Sequence, residues 1–202
     1  MGGEVNKKAI SYGEDEALVK DFQIGGVGAF DKLVLKHKNR VFNLCYRFLG
    51  DYDEANDCAQ ETFVKVYYSL KKFRLGSAFS TWLYRIAVNI CKNRLKSAEY
   101  RHSRKMVRLD NPKQSEKGTY SVEIADHSLS PVTVLERKER QMLIQSAIDS
   151  LPEEQKAVVI LCDIEGLSYA EIARISGYNL GTVKSKIARA RERLREKLTG
   201  VI

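Results

Sequence analysis

FRLGSAFSTWLYRIAVNICKNRLK, Phe73 to Lys96, begins as a loop and ends as a helix. Two phenylalanines, Phe73 and Phe79, flank the small run Leu75-Gly76-Ser77-Ala78. From Ser80 onward, Leu83, Ala87, Ile90 and Cys91 recur at three- and four-residue spacing and predict one apolar helical face. Arg85, Asn89, Lys92 and Lys96 follow the same spacing on the other side. An aromatic loop feeding a cationic, amide-bearing helix suits a nucleic acid whose bases can be unstacked. Arg and Lys neutralise phosphates, Asn bonds a base edge, and the loop offers walls for an extruded base. An ordinary amphipathic helix with a solvated basic face would show the same pattern.

Upstream, Met1–Gly13 is polar and is expected to fray. Glu14–Gln23 reads as a short helix stopped by Gly25-Gly26. A long helix follows with Phe30, Leu33, His37, Val41, Leu44, Cys45 and Phe48 on one face, and Gly50 ends it. Asp51 and Glu54 have the spacing of a capping box. The helix they start is expected to bury Ala55, Cys58, Ala59, Phe63, Val66 and Leu70. Its other face carries Asp53, Asp57, Gln60 and Glu61, either a solvated patch or a docking surface for a basic partner.

Downstream, Glu99 to Val134 loses periodicity and gains Pro112, Gly118, Pro131, serines and a basic cluster, the composition of a linker. A helix is expected from about Leu135 to Ser150, burying Met142, Leu143, Ala147 and Ile148, with Pro152 in the first turn of the next. Ser168 and Glu171 make a capping box for a short helix over Tyr169–Ser176, and Gly177 supplies a left-handed stop. Asn179 caps a last helix with Val183, Ile187, Ala190, Leu194 and Leu198 in a narrow stripe. Short helix, glycine turn and long basic helix form a helix-turn-helix signature. Thr182, Lys184, Ser185, Lys186 and Arg189 are its candidates for bases and phosphates. A solvated basic helix in a small bundle is the alternative.

The sequence is therefore read as all-α: two small helical domains, residues 14–98 and 135–199, joined by a flexible linker over 99–134. The charge of +8 and pI near 9.3 favour a polyanionic partner. The four cysteines, Cys45, Cys58, Cys91 and Cys162, lack zinc or redox spacing and read as reduced core residues of a cytoplasmic protein. His37, His102 and His127 are too dispersed for a metal site, and His37 reads as a packed histidine. No catalytic residue, cofactor or small-molecule substrate is indicated. Met1–Ile10 shows no signal-peptide pattern, and no apolar run is long enough for a bilayer.

With both halves laid out, the chain resembles a bacterial sigma factor of the extracytoplasmic-function class. Four stretches carry the likeness: Asp51–Tyr67, Phe73–Leu95, Leu151–Leu161 and Leu167–Arg191. The resemblance implies that Asp53, Asp57, Gln60 and Glu61 dock on core RNA polymerase. It implies that Phe73, Ser77, Ala78 and Phe79 receive a flipped base of the −10 element, and Arg74 is a further −10 contact. Arg85, Ile86, Asn89, Lys92 and Asn93 would then face −10 DNA, with Trp82 in the core. Thr182, Lys184, Ser185, Lys186 and Arg189 would read the −35 element of promoter DNA, and an anti-sigma factor is a further implied partner. The family loop usually runs Phe-Arg-Gly-Asp-Ser, whereas this chain has Phe73-Arg74-Leu75-Gly76-Ser77. Two rivals fit less well. A self-sufficient helix-turn-helix regulator would need a dimer seam or effector pocket, and a DNA-processing enzyme would need a carboxylate cluster or an arginine-flanked nucleophile.

Overall fold

A computed structural model describes residues 2–97 and 131–199 of the chain, and those residues form helices and short turns. Helix α1 spans Gly2–Gln23. It begins well before the Glu14 start expected from sequence, and Met1–Gly13 is helical from Gly2. No proline interrupts this stretch, so the turn pattern of the packed end propagates backwards through Gly13. Gly25 and Gly28 then adopt positive φ, 94° and 79°, which lets the chain reverse in a few residues. Helix α2, Ala29–Leu49, ends at Gly50, whose N–H donates to the Tyr46 carbonyl at 2.8 Å.

Helix α3, Tyr52–Leu70, starts at Asp51, whose carboxylate accepts from the Glu54 N–H at 3.0 Å. Only this half of the expected capping box forms. The Glu54 carboxylate is instead paired with Arg94 of helix α4, Phe79–Lys96, at 3.0 Å. Thr62 is buried where Phe63 was expected, its hydroxyl donating to the Cys58 carbonyl at 2.7 Å, and Phe63 is half-buried.

Helix α5 spans Pro131–Asp149, so it takes in Pro131–Val134 that composition assigns to the linker. Proline lacks the N–H that a first helical turn leaves unpaired, and so it can open a helix. The rest of the linker reading, residues 99–130, lies outside the described residues. Met142 and Leu143 are exposed rather than buried. The inward face of α5 is instead Ile144, Gln145, Ala147 and Ile148, because Gln145 turns to α2 and bonds Arg47 through both ends of its amide. Pro152 stands just before helix α6, Glu153–Val159, which continues through a π-helical turn over Ile160–Ile164. Helices α7, Tyr169–Ser176, and α8, Leu180–Leu198, complete the chain.

One hydrophobic core runs through both halves. Phe48, Leu33, Leu44, Leu70 and Leu83 fill it at the N-terminal end, and Ile160, Leu161, Ile172 and Ile187 at the other. Among the described residues no helix is long and apolar enough to cross a membrane.

Candidate nucleic-acid interface

Helix α4 sorts its side chains as its spacing requires. Leu83, Ala87, Ile90 and Cys91 are buried, while Arg85, Asn89, Asn93 and Lys96 stand exposed along the opposite face. Ile86 and Lys92 are half-buried between these two faces. The loop before it behaves differently from an open aromatic pocket. Phe73 and Phe79 are turned inward and nearly fully buried, with Phe73 stacked on Trp82 at 4.6 Å and Phe79 at 6.0 Å from the same ring. Arg74, Leu75 and Gly76 are exposed and Ser77 and Ala78 half-buried, so the loop rests its small residues on an aromatic floor.

That floor is held from below by polar groups that sequence spacing did not bring together. The His37 ring meets the Phe79 ring edge-on at 5.4 Å. Its Nε2 lies 3.0 Å from Asp15 Oδ2, and both side chains are almost wholly buried. Lys36 Nζ reaches Asp15 Oδ1 at 2.8 Å. Burial opposes ionisation of Asp15, but hydrogen bonds and charge from His37 and Lys36 outweigh it and lower its pKa. Helix α1 therefore braces the loop through a buried carboxylate. The Gln23 amide adds a second brace, donating to the carbonyls of Leu70 at 3.1 Å and Phe73 at 2.9 Å.

On α3, Asp53, Asp57 and Gln60 are exposed and Glu61 is half-buried. Glu61 pairs with Lys65 at 2.7 Å, and Arg94 lies 4.0 Å away. No ion pair joins Asp53 or Asp57 among the described residues. Beneath this face the thiols of Cys45, Cys58 and Cys91 meet, one from each of α2, α3 and α4. Their scattered positions in sequence hid this. Contact with the Cys91 thiol and burial push Cys58 upward, and contact with the Cys45 thiol and burial push Cys91 upward, so both stay protonated packing groups.

The C-terminal pair of helices is built from local bonds. Ser168 Oγ accepts from the Glu171 N–H at 3.3 Å, and Glu171 Oε2 accepts from the Ser168 N–H at 2.8 Å. Gly177 takes φ 77°, and its N–H donates to the Ala173 carbonyl at 2.9 Å. Asn179 Oδ1 accepts from the Thr182 N–H at 2.8 Å. On α8, Val183, Ile187 and Ala190 are buried, whereas Lys184, Ser185 and Arg189 are exposed and Thr182 half-buried. Lys186 is engaged: its ammonium pairs with Glu154 and stands 4.9 Å above the Tyr178 ring. Arg191 is held by Asp163 in two bonds, 2.5 and 3.1 Å.

The two halves also touch through polar groups. Tyr84 of α4 donates to Glu165 at 2.9 Å. Burial, partly offset by the Tyr84 hydrogen bond and the Arg40 charge, raises the Glu165 pKa. Lys156, 3% exposed, donates to the Phe48 carbonyl in the last turn of α2 at 3.2 Å and to Asp149 at 2.8 Å. The Tyr178 ring carries Lys92 of α4 at 5.9 Å on the same side chain that holds Lys186. Tyr84, Lys156, Glu165 and Tyr178 give no periodic signal of their own in sequence.

The architecture is that of a helix-turn-helix protein carrying a second helical domain. The Sigma-70 region 2 family matches residues 33–101 and the Sigma-70, region 4 family residues 141–194. The chain is 39% identical over 195 residues to the RNA polymerase sigma-H factor of Pseudomonas aeruginosa, covering 94% of this chain and 96% of that one. It is 37% identical over 184 residues to the ECF RNA polymerase sigma-E factor of Haemophilus influenzae, covering 91% and 95%. The sigma factor RpoE of Bartonella quintana, solved with the anti-sigma factor NepR, shares the fold at TM-score 0.61 and 24% identity, over 86% of this chain and 98% of that chain. The chain belongs to the sigma-70 family, in its extracytoplasmic-function class.

Proposed function

We propose that this chain is a dissociable promoter-specificity subunit that binds core RNA polymerase and directs initiation at −35 and −10 elements. The observation that carries the reading is the exposed row Arg85, Asn89, Asn93 and Lys96 beside a braced aromatic loop. It stands in the same molecule as a fully capped helix-turn-helix. Phosphate neutralisation comes from Arg85, Lys92 and Lys96, and base contact from Asn89 and Asn93. Arg74, Ser77 and Ala78 face the flipped base above Phe73 and Phe79, with Ile86 packing at the duplex edge. Thr182, Lys184, Ser185 and Arg189 read the −35 major groove, and Lys186 joins them once it leaves Glu154. Asp53, Asp57, Gln60 and Glu61 dock on the polymerase. The protein acts in the cytoplasm, catalyses no reaction itself, and takes an anti-sigma factor as its inhibitor.

Run-off transcription with purified core polymerase on a genomic promoter library tests this. Specific transcripts that require the chain are expected, and DNA binding of equal specificity without polymerase would favour a self-sufficient regulator. Asp57→Arg sharpens the test. The site is exposed, so stability should move by no more than about 0.5 kcal/mol. Affinity for core in a competition assay should fall, and unchanged affinity would remove this face from the interface.

A further inference from the structure

Asp15, 1% exposed, and His37, 2% exposed, are buried behind the Phe73–Phe79 loop, on helices that carry none of the proposed DNA contacts. Neither side chain can reach DNA. A buried charge is also a poor way to stabilise a core. Desolvation offsets most of its attraction for a partner, and apolar residues of similar volume often serve as well or better. What the pair orients accounts for it better than what it stabilises.

We propose that Asp15 and His37 are positioning residues for base capture: the carboxylate fixes the imidazole, the imidazole fixes Phe79, and Phe79 sets the floor beneath the flipped base. The inference rests on the promoter-opening role proposed above and gives that role two residues that touch no nucleic acid. Each link is a direct contact. Asp15 stays ionised, because the hydrogen bonds of His37 and Lys36 outweigh the opposing effect of burial, and so it accepts from His37 Nε2 at 3.0 Å. His37 Nδ1 has no hydrogen-bond partner among the described residues, so Asp15 supplies the polar restraint on the ring. Lys36 Nζ, 2.8 Å from the second carboxylate oxygen, keeps Asp15 from turning away.

The far side of the imidazole carries the restraint to the loop. Its edge-on contact with Phe79, at 5.4 Å between centroids, is of the directional kind that aromatic rings prefer. Phe79 meets Phe73 at 6.3 Å and Trp82 at 6.0 Å, so a rotated imidazole would disturb the floor as a unit. Ser77 and Ala78, half-buried above that floor, would follow it. Duplex contacts on α4 and the −35 contacts on α8 lie outside this chain of supports. Loss of the pair should therefore spare them.

The test uses holoenzyme reconstituted with core polymerase and fork-junction DNA from a promoter it transcribes. Abasic substitutions along the unpaired −10 strand locate the captured base as the position whose removal weakens wild-type binding most. Ala78→Trp, which fills the loop, should erase that difference. For Asp15 and His37 the readout is the ratio of affinities for the intact and abasic forks. A variant that merely folds less well loses active protein equally on both forks and keeps the ratio. Asp15→Ala should lower the ratio about tenfold, because lost stacking and pairing must be offset by contacts in the pocket. Asp15→Asn, which retains an acceptor oxygen for Nε2, should restore most of it. Asp15→Ala combined with His37→Leu removes both polar partners at similar combined volume, so the pair leaves neither member orphaned. This double variant should fold and bind core normally and still show the lowered ratio.

A wild-type preference that Ala78→Trp leaves intact would overturn capture by the loop and this inference with it. If Ala78→Trp erases the preference, a wild-type ratio in the double variant would overturn the positioning role alone. Failure of the double variant to bind core would do the same, making the pair a support of the fold. A ratio lowered as far by Asp15→Asn as by Asp15→Ala would also overturn it, since charge and not orientation would then be at work.

Discussion

The loop before α4 and the turn before α8 both present polar side chains to solvent at the start of a helix, yet they are held in different ways. The α7–α8 unit is fixed by bonds between residues no more than four apart: Ser168 with Glu171 at the start of α7, Gly177 with Ala173 and Asn179 with Thr182 at the turn. Beyond the nearby Trp82, the Phe73–Phe79 loop is fixed from a distance, by His37 and Asp15 across α1 and α2, and by Gln23. A locally written site survives damage elsewhere, while a site assembled by convergence is only as firm as its remote supports.

The largest test of that contrast is Phe79→Ala. The ring is 3% exposed and fills space between His37, Phe73 and Trp82, so its removal should cost about 3–5 kcal/mol by urea denaturation. A cost below about 1 kcal/mol would mean that the aromatic floor is not part of the core. Lys156→Met comes next. It leaves the Phe48 carbonyl without this donor and Asp149 without this cation, and should cost roughly 3 kcal/mol. Because Lys156 ties α6 to α2, the two halves should also unfold less cooperatively, seen as separate fluorescence and circular dichroism transitions. Ser168→Ala and Asn179→Ala should each cost only about 1 kcal/mol. Amide exchange should show the loss confined to α7 and α8, and spread into α2–α4 would contradict the local account.

The smallest effect is one of pH. Burial raises the folded-state pKa of Glu165, so its contribution to stability is fully present below the ordinary glutamate value of 4.5 and is lost as pH rises through the higher folded value. Asp15 and Asp163 are shifted the other way, so what they contribute is lost only as pH falls below the ordinary aspartate value of 3.8. Wild-type stability, measured from pH 4.5 upward, should therefore carry a downward component that Glu165→Gln lacks. Parallel profiles for the two proteins would show that the Tyr84–Glu165 contact does not report on protonation.

The same contrast explains how much of the fold was legible in the sequence. The helix-turn-helix was legible in full because caps, glycine and periodicity are properties of short windows. The buried faces of α2 and α4 were legible too, each from its own 3.6-residue repeat. What was hidden depends on several windows at once. Met142 and Leu143 look like core residues until Gln145 is seen to rotate α5 towards Arg47. Cys45, Cys58 and Cys91 share no spacing and meet only when three helices pack. The inward turn of Phe73 and Phe79 follows from where Trp82 lies, and spacing along the loop cannot supply that.

Tyr178 sets a length that the chain has to overcome. With Lys92 and Lys186 on one ring, the proposed −10 and −35 readers stand no more than about 11 Å apart at these side chains. Promoter elements named −10 and −35 lie roughly 25 base pairs apart, about 85 Å along B-form DNA. A molecule gripping both must part the two lysines by most of that distance. The roughly 33 residues between Ser97 and Pro131 reach about 110 Å at full extension, enough to span it with little slack. Under the proposed function, shortening this segment by a third should therefore cost the chain simultaneous grip before it costs either grip alone.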